Sequence, residues 1–357
     1  MIKRTRVAKS CRIAEQLRRE FSCTKMQRGT PAISANELAE LYGVSVPTAH
    51  NVLNILTKEG LLYRVKGSGT FFNQESTGRK IQIGIADQTV SKEFLSDDVN
   101  RILDCHFNCA AEFFRNHDCQ VRIVPYSDLM LKDSLKDLDA LLISCLYLDK
   151  ITVPFLQKMN IPVIVYRYSN LPSQAFSHLY YDFNTGVKEA LAYLHPSKTD
   201  KFIIVAEQSP SALYASDCWR RQLALCGIEE SNISIHTASV SERERFCYRL
   251  VRTRQKEFKD AVILTANDEI AVNLLNALDL EEFRRGKDYR LVGIGNRADY
   301  GSETAQKLQL ASVDTPIRQM AEEGAKLLLY ALNNNSNSKF SVGIPTHFIS
   351  RESAGVL

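Results

Sequence analysis

No apolar run in the 357-residue sequence approaches the roughly 18 residues that a membrane-crossing helix requires. The longest, such as DALLISCLYL at 139–148, are soon interrupted. The N-terminal stretch MIKRTRVAKSCRIAEQLRREF has no apolar core of the kind that marks a secretory signal, so a cytoplasmic protein with no membrane partner is expected. The nine cysteines include no C-x-x-C pair, and Cys105 and Cys109 have no ligand partners at a zinc-like spacing. Buried, reduced thiols are expected, with no metal and no other cofactor. There is no G-x-S-x-G turn, no G-x-G-x-x-G after a strand, no G-x-x-x-x-G-K-[ST] loop and no H-E-x-x-H, which leaves an enzyme with little support.

What is present is a soluble composition with 45% hydrophobic and 24% charged residues, on a chain long enough for two or three compact units. The one biased tract, NNNSNS at 333–338, reads as a surface turn. The net charge of +4 is unevenly spread: residues 1–80 hold 14 Lys/Arg against 6 Asp/Glu, leaving 31 against 35 in the remainder. A basic head on a mildly acidic body points to nucleic acid for the first and a small or neutral ligand for the second.

In the head, Ile13, Ala14, Leu17 and Phe21 fall at helical spacing, with Arg4, Arg6, Lys9, Arg12, Arg18 and Arg19 available for phosphates on the other side. Ser34 and Glu37 form a capping box for a second helix, whose apolar face is Leu38, Leu41 and Tyr42 and whose stop is Gly43. Ser45 caps a third, with Pro47 in its first turn, a core stripe of Ala49, Val52, Leu53 and Leu56, and an outer face of Pro47, His50, Asn51, Asn54 and Lys58. LLYRVKGSGTFF then reads as a β-hairpin turning at Lys66–Gly69; its glycines do not make a phosphate loop, because the chain continues as a strand.

From about Val7 to Phe72 the order and spacing of these pieces resemble the winged helix-turn-helix of the GntR family, carried by ISANELAELYGVSVPTAHNVLNILTKEGLLYRVKGSGTFF. The resemblance implies DNA contact through Ser45, Thr48 and the wing residues Lys66 and Gly67. It also exposes departures: Asn36, Val46 and His50 stand where the family usually has arginines. Phosphate contacts supply affinity and base-edge contacts specificity, and the two tasks are separable. Arg4, Arg6, Lys9, Arg64 and Lys66 are assigned to phosphates, Asn51 to adenine, His50 to a guanine acceptor, and Val46 or Pro47 to a thymine methyl. The alternative for His50 and Asn51 is simple solvation.

The predicted organisation is a head at 1–73, a polar linker at 74–80 and a body at 81–357. Strands are predicted to begin at 81, 119, 139, 161, 201, 260 and 290, alternating with helical stretches at 99–116, 184–194, 213–226 and 267–278. So apolar a strand set, interleaved with helices, gives an α/β fold of doubly wound parallel sheets, here two lobes that bind ligand beyond the carboxyl ends of their strands.

The body is similar to the effector domain of LacI/GalR-type regulators and periplasmic binding proteins, on the segments IGIADQTVSKEF, DLDALLIS, IPVIVYR, LYYDFNTGVKEALAYL, AVILTANDEIAVNLLNAL, RLVGIGN, LASVDTPIRQMAEEGAKLLL and IPTHFISRESAG. A GntR-type head on such a body resembles the arabinose-repressor group, which implies a homodimer on operator DNA, a monosaccharide-like effector, and repression. The alternative is a cytoplasmic sugar sensor with a vestigial head.

The likeness implies interlobe chain crossings near 177, 295 and 315. It also implies ligand contacts by Asp87, Phe94, Arg167 and Asp268, each with a structural alternative: a turn, a core ring, a salt bridge and a helix start. Trp219, the sole tryptophan, offers sugar stacking or core packing. Tyr166, Ala215 and GIGN at 293–296 depart from the family pocket, so a less charged pocket, a neutral or deoxygenated sugar, or lost binding is expected.

Overall fold

The computed structural model describes residues 9–23, 26–73, 80–87, 97–144, 152–159, 161–167, 175–334 and 339–355. They form two compact units, Met1–Ile81 and Gln82–Leu357. In the first, α1 (Lys9–Cys23), α2 (Ala35–Tyr42) and α3 (Val46–Lys58) precede an antiparallel hairpin of β1 (Leu62–Val65) and β2 (Gly69–Phe72). The capping box is formed: Glu37 N donates to Ser34 Oγ at 3.2 Å, and Ser34 N donates back to Glu37 Oε2 at 2.9 Å. Ile13, Leu17, Leu38, Val52, Leu53 and Leu56 share one core.

Leu41 departs from its predicted place and is exposed. In so short a helix Leu38, Ala39 and Tyr42 fill the inward stripe, and Tyr42 is fixed by Gln16 Nε2 donating to its hydroxyl at 3.2 Å.

The second unit runs β3 (Gln82–Asp87), α4 (Asp97–Asn116), β4 (Gln120–Pro125), β5 (Ala140–Ser144), α5 (Thr152–Lys158), β6 (Val163–Arg167) and β7 (Ser177–Asp182). Crossing to the other lobe, it continues through α6 (Phe183–Leu194), β8 (Lys201–Glu207), α7 (Pro210–Leu225), β9 (Ile233–Ala238), α8 (Arg243–Thr253) and α9 (Gln255–Phe258). Then come β10 (Ala261–Thr265), α10 (Asp268–Leu280), β11 (Tyr289–Ile294), α11 (Glu303–Lys307) and β12 (Ala311–Val313). The chain returns as α12 (Ile317–Asn333) and β13 (Ser341–Pro345), then crosses once more into β14 (Phe348–Ile349).

The N-terminal lobe has strand order β13-β7-β6-β5-β3-β4, all parallel; the C-terminal lobe has β14-β12-β11-β10-β8-β9, parallel except at β14. Strands β7, β9, β12, β13 and β14 add to those predicted. β9 is a largely exposed edge strand, and β7 buries polar Ser177 and His178, so neither shows the continuous apolar run used to find the others.

The crossings lie at 182–183, 314–316 and 346–347, so those expected near 177 and 295 are displaced: residue 177 opens β7, and 295 follows β11 inside its lobe. Close packing gathers the three. Thr346 Oγ1 donates to Asp182 O at 3.0 Å and Asp314 N to His347 O at 2.6 Å. A Cβ on Gly186 would stand 2.5 Å from Val313 Cγ1 and 2.7 Å from Thr346 Oγ1, so only glycine lets α6 approach both returning segments.

Candidate functional site

Two surfaces hold the candidate residues. On the head, Ser45 caps α3, its hydroxyl accepting from Thr48 N and lying 2.8 Å from Thr48 Oγ1. Thr48 is therefore oriented by the cap. His50, Asn51, Asn54 and Lys58 are exposed along α3 and make no side-chain hydrogen bond to the described residues. Arg64 and Lys66 are likewise exposed on the hairpin, and Gly67 sits at its turn with φ 84°. Among the first-helix cations, Arg12 is exposed and Lys9 reaches Gly43 O at 3.5 Å.

Arg18 is a correction to the proposed phosphate set. Its Nε and Nη2 donate to the two oxygens of Glu59 at 3.0 and 2.7 Å, so it ties α1 to the end of α3. Arg28 adds an exposed cation beside the hairpin, where Gly29 N donates to Phe72 O. Its position follows from pairing across forty residues, which no local pattern displays. Arg4, Arg6 and the side chain of Arg19 lie outside the described residues.

In the body, Asp87 ends β3 and Arg167 ends β6, both at carboxyl ends of their sheet. The side chain of Asp87 and the whole of Phe94 lie outside the described residues. Arg167 is half-buried, and its charge helps to lower the pKa of His178, a shift caused chiefly by burial.

Trp219 is 0% exposed, its ring nitrogen donating to Thr265 O at 3.1 Å. With no open ring face it packs α7 onto the sheet, and the stacking role falls away. Ala215, one turn before it, is buried as well.

Asp268 is 1% exposed and stands in the first turn of α10, the place its structural reading gave it. Asn267 is the cap of α10, accepting from Ile270 N at 2.9 Å. The Asp268 carboxylate instead turns toward the neighbouring strands, accepting from Arg297 N at 2.8 Å and Ser312 Oγ at 2.7 Å. Burial raises its pKa, and these two bonds oppose the rise. A Cβ on Gly293 would stand 2.1 Å from Asp268 Oδ1, so the bare glycine backbone makes room for the carboxylate.

Beside it lies a charged chain that local sequence did not reveal. Arg243 Nη1 is 2.6 Å from both Glu207 Oε2 and Glu269 Oε2, and Arg297 Nη1 donates to Glu269 Oε1 at 3.0 Å. Glu207 ends β8, Arg243 opens α8 after β9, Glu269 lies in the first turn of α10 after β10, and Arg297 follows β11. All four thus occupy the carboxyl-end rim of one parallel sheet, where doubly wound folds bind ligands. In the sequence Arg243 looks like part of the surface charge run SERER, and Arg297 has no motif.

Among the described residues no cluster of three His, Cys, Asp or Glu is placed to hold a metal, and no helix is long and apolar enough to cross a membrane. Cys109, Cys119, Cys218 and Cys247 are buried free thiols. Cys11 and Cys226 are exposed, against expectation: one lies on the outer side of α1 and the other just beyond α7.

Residues 9–72 match the family model of bacterial regulatory proteins, gntR family, and residues 191–354 match a periplasmic binding protein-like domain. The HTH-type transcriptional repressor NagR of Bacillus subtilis is 39% identical over 70 residues, which cover 20% of this chain and 29% of that protein. The chain thus spans less than a third of that relative's length in the match. Among solved structures, a regulatory protein of the LacI family from Chloroflexus aggregans has a TM-score of 0.62 at 20% identity, covering 77% of this chain and 98% of that one. A LacI family transcriptional regulator from Enterococcus faecium with bound ribose gives 0.60 at 16%, covering 77% and 99%. At such identities the structural likeness concerns the fold alone.

Proposed function

We propose that this chain, a GntR-type winged helix joined to a periplasmic-binding-protein-like body of the LacI type, is a sequence-specific DNA-binding repressor governed by a small effector. The observation that carries this reading is the free outer face of α3 beside the exposed cations of the hairpin. Asn51 and His50 offer hydrogen bonds to base edges, Arg64 and Lys66 neutralise phosphate, and Thr48 is set by the Ser45 cap. The effector is a sugar or sugar derivative held at the carboxyl ends of the body strands. It regulates by binding the DNA-competent and DNA-incompetent arrangements with different affinity.

The working unit is a homodimer on a two-fold operator. The free edges of both body sheets favour self-association: β4 exposes Ile123 (63%), followed by Met130 and Leu131, while β9 exposes Ile235, followed by Val240. Duplexes selected from a random pool by the full chain test the reading, with affinity measured by fluorescence anisotropy at physiological salt. A palindromic consensus bound at least about a hundredfold above random duplex is the expected result. Equal affinity for selected and random DNA, with and without sugars, overturns it.

A further inference from the structure

We propose that the carboxyl-end rim of the C-terminal lobe recognises an oxyanion-bearing ligand, a polyhydroxylated carboxylate or phosphate, through the open edges of Arg243 and Arg297. The assignment rests on the effector-binding part of the regulator reading and narrows its chemistry. Both guanidinium groups stand on the carboxyl-end rim and both are largely covered, their side chains 22% and 15% exposed. Each is held by a single nitrogen: Nη1 of Arg243 by Glu207 and Glu269, Nη1 of Arg297 by Glu269. Among the described residues, Nε and Nη2 of both arginines have no protein partner.

The Nε–Nη2 edge presents two parallel N–H groups, the arrangement that fits two oxygens of one carboxylate or phosphate. The same chain uses this edge elsewhere, where Arg18 clasps both oxygens of Glu59. In the body the glutamates fix the planes from the opposite side, so little side-chain freedom is left to lose on binding. A neutral hydroxyl presents one oxygen, itself carrying a hydrogen, and leaves the second donor of each edge unfilled.

Glu207, with Ser209 hydrogen-bonded to it at 3.3 Å, supplies an acceptor for the hydroxyl hydrogens of the same ligand. The guanidinium chemistry missing at Ala215 is thus provided from two other elements.

The test is isothermal titration and thermal shift of the full chain with gluconate, galacturonate, glucose 6-phosphate and glucosamine 6-phosphate, each against its neutral parent sugar, and with inorganic phosphate alone. At least one acid or phosphate is expected to bind at least about tenfold more tightly than its parent. The carboxylate and phosphate arms identify which oxyanion is preferred. Arg243→Lys with Arg297→Lys retains a single-nitrogen pair to each glutamate but removes both forked edges. That variant should keep its ligand-free melting temperature and lose about tenfold or more in affinity for the oxyanion ligand. Binding of a neutral sugar as tight as its charged counterpart, unchanged affinity in the double variant, or no response to any acid or phosphate would each overturn the assignment. Selective operator binding that persists in any of those cases leaves the regulator reading standing, so the two failures are distinguishable.

Discussion

In the head, His50, Asn51, Arg64 and Lys66 stand exposed with no side-chain bond to the described residues, whereas in the body Arg243 and Arg297 are anchored through Nη1 to buried or half-buried glutamates. The difference is consistent with the ligands proposed for each surface. A long polyanion supplies many weak contacts and tolerates mobile side chains, because counterion release drives the binding. A small ligand makes few contacts, so each must be oriented before it arrives. Arg18 is the exception within the head: pinned to Glu59, it serves the packing of α1 on α3.

The largest expected effect lies on the anchored side. Asp268→Ala takes the carboxylate acceptor from Arg297 N and from the Ser312 hydroxyl hydrogen in a buried site, while Ser312 Oγ keeps its bond from Asn296 N, and should cost about 4 kcal/mol of body stability. Urea unfolding followed by the fluorescence of Trp219 measures it. A loss below about 1 kcal/mol would mean that the carboxylate is not the strut its geometry describes.

Next comes pH. Burial pushes His106 down to about 4 from its ordinary 6.5. The unfolded chain therefore takes up this proton before the folded one does, and the stability present above pH 6.5 is lost as pH falls toward 4. The full loss is about 3 kcal/mol. Burial of Asp268 works in the opposite sense, since its raised pKa favours proton uptake by the fold. His106→Gln separates the two contributions: its unfolding free energy should decline less steeply over that window than that of the parent chain. An identical slope would remove His106 as the source.

On the open side the effects are smaller and of two kinds. Arg64→Ala with Lys66→Ala should weaken binding to selected and random duplex alike and reduce the salt slope by about 2. Asn51→Ala should cost about 2 kcal/mol on selected duplex and little on random DNA. If both variants lost affinity uniformly, the division between phosphate and base contacts would fail. Smallest of all, Glu59→Gln should change head stability by no more than about 0.5 kcal/mol, because the pair is substantially exposed. The released Arg18 should leave DNA affinity equal or slightly higher, a direction read in the same anisotropy assay.

Much of the architecture could be read along the chain where each element carries its own local pattern. Ser34 with Glu37, the stripe from Ala49 to Leu56 and the Lys66–Gly69 turn all act within one or two turns of the backbone, and each takes its predicted form. The apolar strands of the body were legible for the same reason. β9 was not, because an edge strand needs no continuous apolar run, and neither were the crossings, which depend on how α6, β12 and β13 meet around Gly186.

The sites divide in the same way. The α3 face and the hairpin cations are named by spacing, since one helix and one hairpin suffice to display them. Trp219 and Asp268 were singled out as ligand contacts from the chain alone, but the partners that hold them, Thr265, Ser312 and the Arg297 amide, are distant in sequence.

The sequence by itself determined the two-part plan: a basic winged helix, and a body of apolar strands alternating with amphipathic helices, each set by short-range spacing of apolar and capping residues. Tertiary structure alone decided that Arg18 is tied to Glu59, that Trp219 is closed off, and that Glu207, Arg243, Glu269 and Arg297 form one charged chain. The last four come from four separate strand ends. Parallel strands bring such ends together on one rim however far apart they lie in the chain, and no local periodicity records which side chains will meet there.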